Sequence, residues 1–418
     1  MTLIEIIDIV CFAIVAFATA YMLFFAVCSM WSRDEKGETQ QKQKQLLRFI
    51  VVVLAHRQDR TVIQTVNSIL GQSYVQRQFD VTVISDHQRE MTNMRLAQLP
   101  VTLITPNLKD ATRTKLLQYA MLHLPRFKQY DVVLLLNGND LVDTDYIERL
   151  NNAYVSSGTK CMQTHVVSRR RDTPVARLEA VAGEINNSIF RRGHVAIGLS
   201  ASLCNTGVAY DFDWFNQAIM KVANPDEQKE MEAMLMRDHI FIDYAENIHV
   251  FDEKTRHEHD FSQTRSTWVR QQRLAFMSNM RYLPSALLRH DYDLIDKLLQ
   301  WLLIPRTTMM AIVMLMDVTL GFVFFSLVIK WWAISALVLL AFAIATPNYL
   351  VDEHWDNTFL HAPLLVYKRF LRKPVQITKN IQDGYSAMAV SGWLGGIRNI
   401  LHLGSSSADE ESEEQRPS

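Results

Sequence analysis

The chain has no surplus of charge of either sign and little cysteine. Its 43 Lys and Arg face 44 Asp and Glu, a formal net charge of −1. No overall basic field draws phosphate backbones, and a nucleic-acid partner gets no support. The cysteines are Cys11, Cys28, Cys161 and Cys204. None forms a C-x-x-C pair of the kind used for zinc or redox chemistry, and two lie inside an apolar run, so the soluble part reads as a resident of a reducing compartment. Two glycine signatures are missing as well. No G-x-G-x-x-G follows the first strand-like run and no G-x-x-x-x-G-K-[ST] occurs anywhere. A nucleotide, if one binds, is not held in a glycine-rich loop.

Long apolar runs are present. From Ile9 to Trp31 there is no charged residue, and at helical rise such a run covers roughly 34 Å, enough for a hydrocarbon core of about 30 Å. Glu5 and Asp8, with no Lys or Arg, precede it, which favours an uncleaved anchor over a signal peptide. A second region, Thr307 to Val351, is interrupted only by Asp317 and Lys330. It predicts two spans joined by a turn around Lys330-Trp331-Trp332, three spans in all. Asp317 reads as a carboxylate satisfied within a helix bundle, with a partner contact as the alternative. The basic run Tyr367–Lys373 follows the third span, and the positive-inside rule then puts the soluble domain in the cytoplasm.

The expected layout is an anchor over 1–32, a polar linker over 33–47, an α/β domain over 48–283, and an amphipathic helix over 284–304 that lies in the interface or packs on the domain. Two membrane helices over 305–352, a membrane-proximal segment over 353–403 and a disordered acidic tail over 404–418 complete it. Inside the domain, Phe49–Leu54, Asp80–Ile84, Val101–Thr105 and Val132–Leu136 are nearly continuously apolar, as strands of a mostly parallel sheet buried on both faces should be. Helical patterns over Thr61–Leu70 and Thr112–Leu124 intervene, giving a Rossmann-like βαβα rhythm. Ligands of such sheets sit beyond the carboxyl ends of the strands, here His56–Asp59, Asp86-His87 and Asn137–Asp140.

Leu54–Asp59 and Ile84–His87, together with Gly198–Tyr210 and Ile240–Lys254, resemble segments of membrane-bound, cellulose-synthase-like glycosyltransferases of family 2. The resemblance covers about residues 48–300. It implies a GT-A fold and a UDP-sugar-type donor held by His56, Arg57, Asp59, Asp86 and Asn137. It also implies a glycan acceptor met by Asn205, Thr206, Gly207, Arg265 and Trp268, and polysaccharide or glycolipid assembly of the hexosyltransferase type.

The chemical positions depart from that family. Its fourth strand ends in D-x-D, which holds Mg²⁺ or Mn²⁺; here the strand ends Asn137-Gly138-Asn139-Asp140. Two neutral amides weaken a site for a hard cation, and Asp140 is the only carboxylate left to compensate. The family's base aspartate is Gln228, flanked by Glu227 and Glu230. An amide cannot take a proton from a sugar hydroxyl, and a positioned base contributes about 10²–10⁴-fold in rate. The Q-x-x-R-W motif reads Thr264–Trp268. Three readings stay open: a non-catalytic partner of an active glycosyltransferase, an inverting enzyme using Asp140 and Glu227 or Glu230, and a membrane scaffold. Asp143-Thr144-Asp145 reads as surface acids, His257-x-His259-Asp260 as a charged loop, and Arg169–Arg171 and Arg191-Arg192 as solvated faces.

Overall fold

The computed structural model describes residues 3–31, 45–108, 111–125, 127–169, 171–225, 227–252, 258–323 and 325–350. The linker up to residue 44, residues 253–257, the basic run 367–373, the segment 353–403 and the acidic tail lie outside the described residues.

The chain runs α1 (Leu3–Cys28), β1 (Phe49–His56), α2 (Val62–Leu70), β2 (Phe79–Asp86), α3 (Glu90–Ala97), β3 (Thr102–Ile104), α4 (Arg113–His123) and β4 (Val132–Asn137). Next come β5 (Asp140–Val142), α5 (Tyr146–Ser157), β6 (Cys161–Ser168), α6 (Pro174–Asn187), a π-helical turn over Ser188–Arg192 and α7 (Gly193–Ala196). The domain closes with β7 (Val208–Asp211), α8 (Phe212–Ile219), α9 (Gln228–Arg237) and β8 (Ile242–Asp252). Five helices follow, α10 (Glu258–Asn279), α11 (Leu283–Arg289), α12 (Tyr292–Leu302), α13 (Arg306–Val323) and α14 (Phe325–Ala345).

One mixed sheet of eight strands, ordered β3-β2-β1-β4-β7-β6-β8-β5, carries the domain. β1 lies between β2 and β4, parallel to both, and its alternate residues serve two cores. Ile50, Val52 and Leu54 pack with α4, α8, α9 and α12, while Phe49, Val51, Val53 and Ala55 pack with α2, α3 and α5. Burial on both faces is what a continuous apolar run records. β1 and β2 each continue two residues past the expected ends, which sets His56 opposite Asp86 at the carboxyl edge.

Two helices, Glu5–Cys28 and Leu327–Ala345, are long and apolar enough to cross a membrane. Tyr292–Leu302 with Arg306–Gly321, bent by 53°, makes a third if counted as one span. The expected turn at Lys330-Trp331-Trp332 is corrected, because all three residues lie inside α14. Lys330 Nζ pairs with the buried Asp8 carboxylate of α1, and Trp331 Nε1 donates to Asp8 at 2.8 Å. A helix interior accommodates that cation because the neighbouring helix supplies its counter-charge. Asp317 Oδ2 accepts from Ser335 Oγ at 2.7 Å, a contact between α13 and α14.

The single helix expected over 284–304 is two. His290 adopts φ +55 and ends α11, and the Asp291 carboxylate caps α12 by accepting from Leu294 N. Leu294, Leu298 and Trp301 then enter the core of the sheet domain, so α12 is a packing helix. Its Lys297, with no exposed surface, lies 3.2 Å from Glu232 of α9, which Lys229 meets at 2.7 Å. Burial pushes the Glu232 carboxyl up, but Lys229 and Lys297 outweigh it and hold it at about 2. The contribution of this cluster is therefore complete at neutral pH and is lost as pH falls from the ordinary carboxyl range towards 2.

α1 is docked on the domain. Tyr21 OH donates to Asp296 Oδ1 at 2.7 Å, Phe25 stacks on His194, and a Cβ on Gly193 would meet the Phe25 carbonyl at 2.3 Å. Glu232→Gln leaves Lys297 buried without its carboxylate, and a loss of about 3–5 kcal/mol is expected. Thermal unfolding in detergent should show the lower midpoint and a flattened acid limb in its pH dependence.

Candidate functional site

The carboxyl ends of β1, β2 and β4 lie side by side, which is where open α/β sheets have their ligand crevice. Asp86, 2% exposed, stands at this edge. His56 Nδ1 lies 2.5 Å from Asp86 Oδ2 and His87 Nδ1 lies 2.7 Å from Oδ1. Arg57 and His87 both have φ +53, a left-handed backbone that costs about 1–3 kcal/mol for such residues. The two turns wrap the chain around the carboxylate, and Arg57 N donates to the Asp86 carbonyl at 3.1 Å. Asp59 is directed to α3 instead. Its carboxylate accepts from Thr92 Oγ1 at 2.6 Å and Arg89 N at 2.8 Å, bonds that hold it below the usual carboxylate range.

The loop after β4 explains the two asparagines. A Cβ on Gly138 would lie 2.5 Å from Gln58 Oε1 and 2.8 Å from Ala55 Cβ, so only glycine lets this loop close on β1. Beside it, Gln58 Nε2 donates to Asn139 Oδ1 at 3.0 Å, and Asn139 Nδ2 donates to Asp252 Oδ1 at 2.7 Å. Asp140 is fully buried in β5. Its Oδ2 accepts from Asn137 N at 2.6 Å and from Thr206 Oγ1, so it ties the loop together from within.

Arg113 organises the remainder. As the first residue of α4, behind the Thr112 cap, it reaches into the crevice and fills its fork with three acceptors. Nη1 donates to Asn137 Oδ1 at 2.8 Å, Nε to Glu227 Oε1 at 2.7 Å, and Nη2 to the Asn205 carbonyl at 2.5 Å. Sequence reading did not single it out, because an isolated arginine at a helix start belongs to no spaced motif. Gln163 was missed for the same reason. Its amide accepts from Cys204 N and donates to the Thr206 and Gly207 carbonyls, which holds the 204–207 loop.

Around that loop, Thr206 is buried and Gly207 takes φ +67, where a Cβ would meet Thr164 Oγ1 at 2.5 Å. Gln228 donates to the Leu203 carbonyl. Glu230 turns outward and caps the 223–224 turn, accepting from Asn224 Nδ2 at 2.6 Å and Asn224 N at 3.1 Å. Of the two glutamates flanking position 228, Glu227 alone faces the crevice, buried against Arg113. Arg265 and Trp268 lie on α10, and their side chains are outside the described residues. Asp143–Asp145 form an exposed turn ahead of α5. Arg191 donates to the Ser202 carbonyl and Asn187, and Arg192 to Glu246, so both are bonded within the domain.

The donor set at the end of β4 is a weaker one for Mg²⁺ or Mn²⁺ than two carboxylates would be. Hard divalent ions take anionic oxygens, and here they would meet two amide oxygens already accepting hydrogen bonds, with a guanidinium on one of them. What the crevice offers instead is the Asp86 carboxylate flanked by the His56 and His87 imidazoles, while the Arg113 guanidinium is already taken up by Asn137, Glu227 and Asn205.

Neither a protein-family model nor a curated protein sequence matches the chain. Among solved structures, it is similar to the mannosyltransferase PcManGT from Pyrobaculum calidifontis, in complex with GDP-Man and Mn²⁺. The TM-score is 0.50 at 12% identity, over 87% of this chain and 99% of that one. It is also similar to S. aureus TarS 1-349 in complex with UDP-GlcNAc, with a TM-score of 0.46 at 14% identity over 83% and 93% of the two chains. The fold is thus a GT-A-like glycosyltransferase fold with apolar helices attached. Arg113→Ala strips the buried Glu227 of its counter-charge, and a loss of about 3–5 kcal/mol is expected. Limited proteolysis should then cut the 204–207 and 222–228 loops first, and Arg113→Lys should restore only part of the protection, since lysine lacks the planar fork.

Proposed function

We propose that the chain is a glycosyltransferase-like membrane protein of polysaccharide or glycolipid assembly that keeps a nucleotide-sugar site and has lost group transfer. In this reading it serves as a non-catalytic partner of an active glycosyltransferase, with its soluble domain on the cytoplasmic face. The observation that carries the reading is the Arg113 fork. Where the resembled family holds a divalent ion between two carboxylates, this chain sets a fixed guanidinium on Asn137 and locks it with Glu227. Further support comes from the residues available to take over the chemistry. Asp140 Oδ2 is held inside the loop by Asn137 N and Thr206, Glu230 caps the 223–224 turn, and the Gln228 amide cannot accept a proton at neutral pH. Asp86 supports a retained donor site, since its carboxylate stands at the strand edge where nucleotides of such folds bind.

The competing reading, an active inverting enzyme, would use Glu227, the buried glutamate beside position 228, as its base. Arg113 Nε already donates to its Oε1 at 2.7 Å, which ties it to the end of β4 and not to an acceptor. A purely structural scaffold would take no nucleotide at all.

Full-length protein in detergent, given a panel of UDP- and GDP-sugars with Mn²⁺, separates the three. The expected result is binding that Asp86→Ala weakens tenfold or more, with release of nucleoside diphosphate no faster than spontaneous hydrolysis. Turnover that vanishes in Glu227→Gln would overturn the proposal. The combined change Asn137→Asp, Asn139→Asp, Gln228→Asp should make donor binding respond to Mn²⁺, while donor binding by the parent protein should be indifferent to it.

A further inference from the structure

We propose that His56, Asp86 and His87 form a transition-metal site, taking a borderline cation of the Zn²⁺ class at the carboxyl edge of the sheet. The three offer one ligand atom each within a sphere of 4.8 Å. Both imidazoles turn Nδ1, not the outer ring nitrogen, towards the same carboxylate, at 2.5 and 2.7 Å from its two oxygens. The backbone sets this convergence. His56 and Asp86 are register partners on adjacent parallel strands, and the left-handed turn at His87 swings its ring back over the strand end. The rings meet at 65° with centroids 5.6 Å apart, an approach that leaves both free to point at one centre.

Two imidazole nitrogens and one carboxylate oxygen suit Zn²⁺, Co²⁺ or Ni²⁺ and not Mg²⁺. Bonds of about 2.0–2.2 Å in tetrahedral geometry need ligand atoms about 3.4 Å apart. The present contacts reach that spacing by small side-chain rotations, and the rings are free to make them, with 57% and 52% of their side-chain surfaces exposed against 3% for Asp86. The anionic ligand is thus rigid and buried, the neutral ligands are adjustable, and the fourth position opens to solvent for water or an exogenous ligand. A cation here engages the Asp86 carboxylate, the group that the donor-site reading assigns to the nucleotide. The metal site stands on its own geometry and does not rest on that reading.

Calorimetric titration of untagged, full-length protein in detergent with ZnCl₂, in nucleotide-free buffer, tests the site. One equivalent of Zn²⁺ is expected, with the affinity of that equivalent falling tenfold or more in each of His56→Ala, His87→Ala and Asp86→Asn. Co²⁺ in the same position should show the intense visible absorption of four-coordinate cobalt and lose it in the same variants. The two histidine variants alter exposed rings and should fold as the parent does. Absence of a binding isotherm, or an equivalent that survives all three substitutions because His257 and His259 hold it, overturns the proposal. If Zn²⁺ binds as stated while no nucleotide does, the donor-site reading fails and the metal site stands.

Discussion

One guanidinium joins three segments that are far apart in the chain. Arg113 leaves the start of α4 and bonds the end of β4 at Asn137, the loop before β7 at Asn205, and the residue ahead of α9 at Glu227. Glu227 is buried, and a buried carboxylate is tolerated only with its counter-charge in place, so the pair constrains the crevice as a unit. The two asparagines follow from the same constraint. Carboxylates at 137 and 139 would want a divalent ion between them, and that ion would stand against a positive fork. Neutral amides accept from Arg113 and from Gln58 without any ion.

The crevice and the membrane helices share a framework. Glu232, on the same helix as Gln228, is held by Lys297 of α12, and α12 runs into the bend that leads to α13. On the other side, Tyr21 of α1 donates to Asp296, the neighbour of Lys297. The apolar helices and the Arg113 fork are thus joined through α12 and α9.

Much of the fold was legible because the physics was local. Continuous apolar strands announced a sheet buried on both faces, and the long runs without charge announced α1 and the apolar pair at 306–345. What escaped depended on partners distant in sequence. Lys330 read as a turn because a charge in an apolar run looks like an interruption, and its counter-charge, Asp8, stands at the opposite end of the described chain. His290 broke the expected interface helix through its backbone conformation, which no periodicity records. Asp86, Asn137 and Asn139 were singled out by motif position, and the structure sets them at the carboxyl edge of the sheet. Arg113 and Gln163 do their work through bonds to residues distant in the chain, which no spaced motif records. The structure also separates Glu227 from Glu230, which the sequence offered as equivalents, by turning one inward and one to the 223–224 loop.

The central claim is a donor site that works without Mg²⁺ or Mn²⁺. It is tested most directly by calorimetric titration of the full-length protein with UDP and then GDP, first in EDTA and then in Mn²⁺. The account predicts that at least one nucleotide binds in EDTA and that Mn²⁺ leaves its affinity unchanged within twofold. Binding that appears only with Mn²⁺, or no binding of either nucleotide, would contradict it.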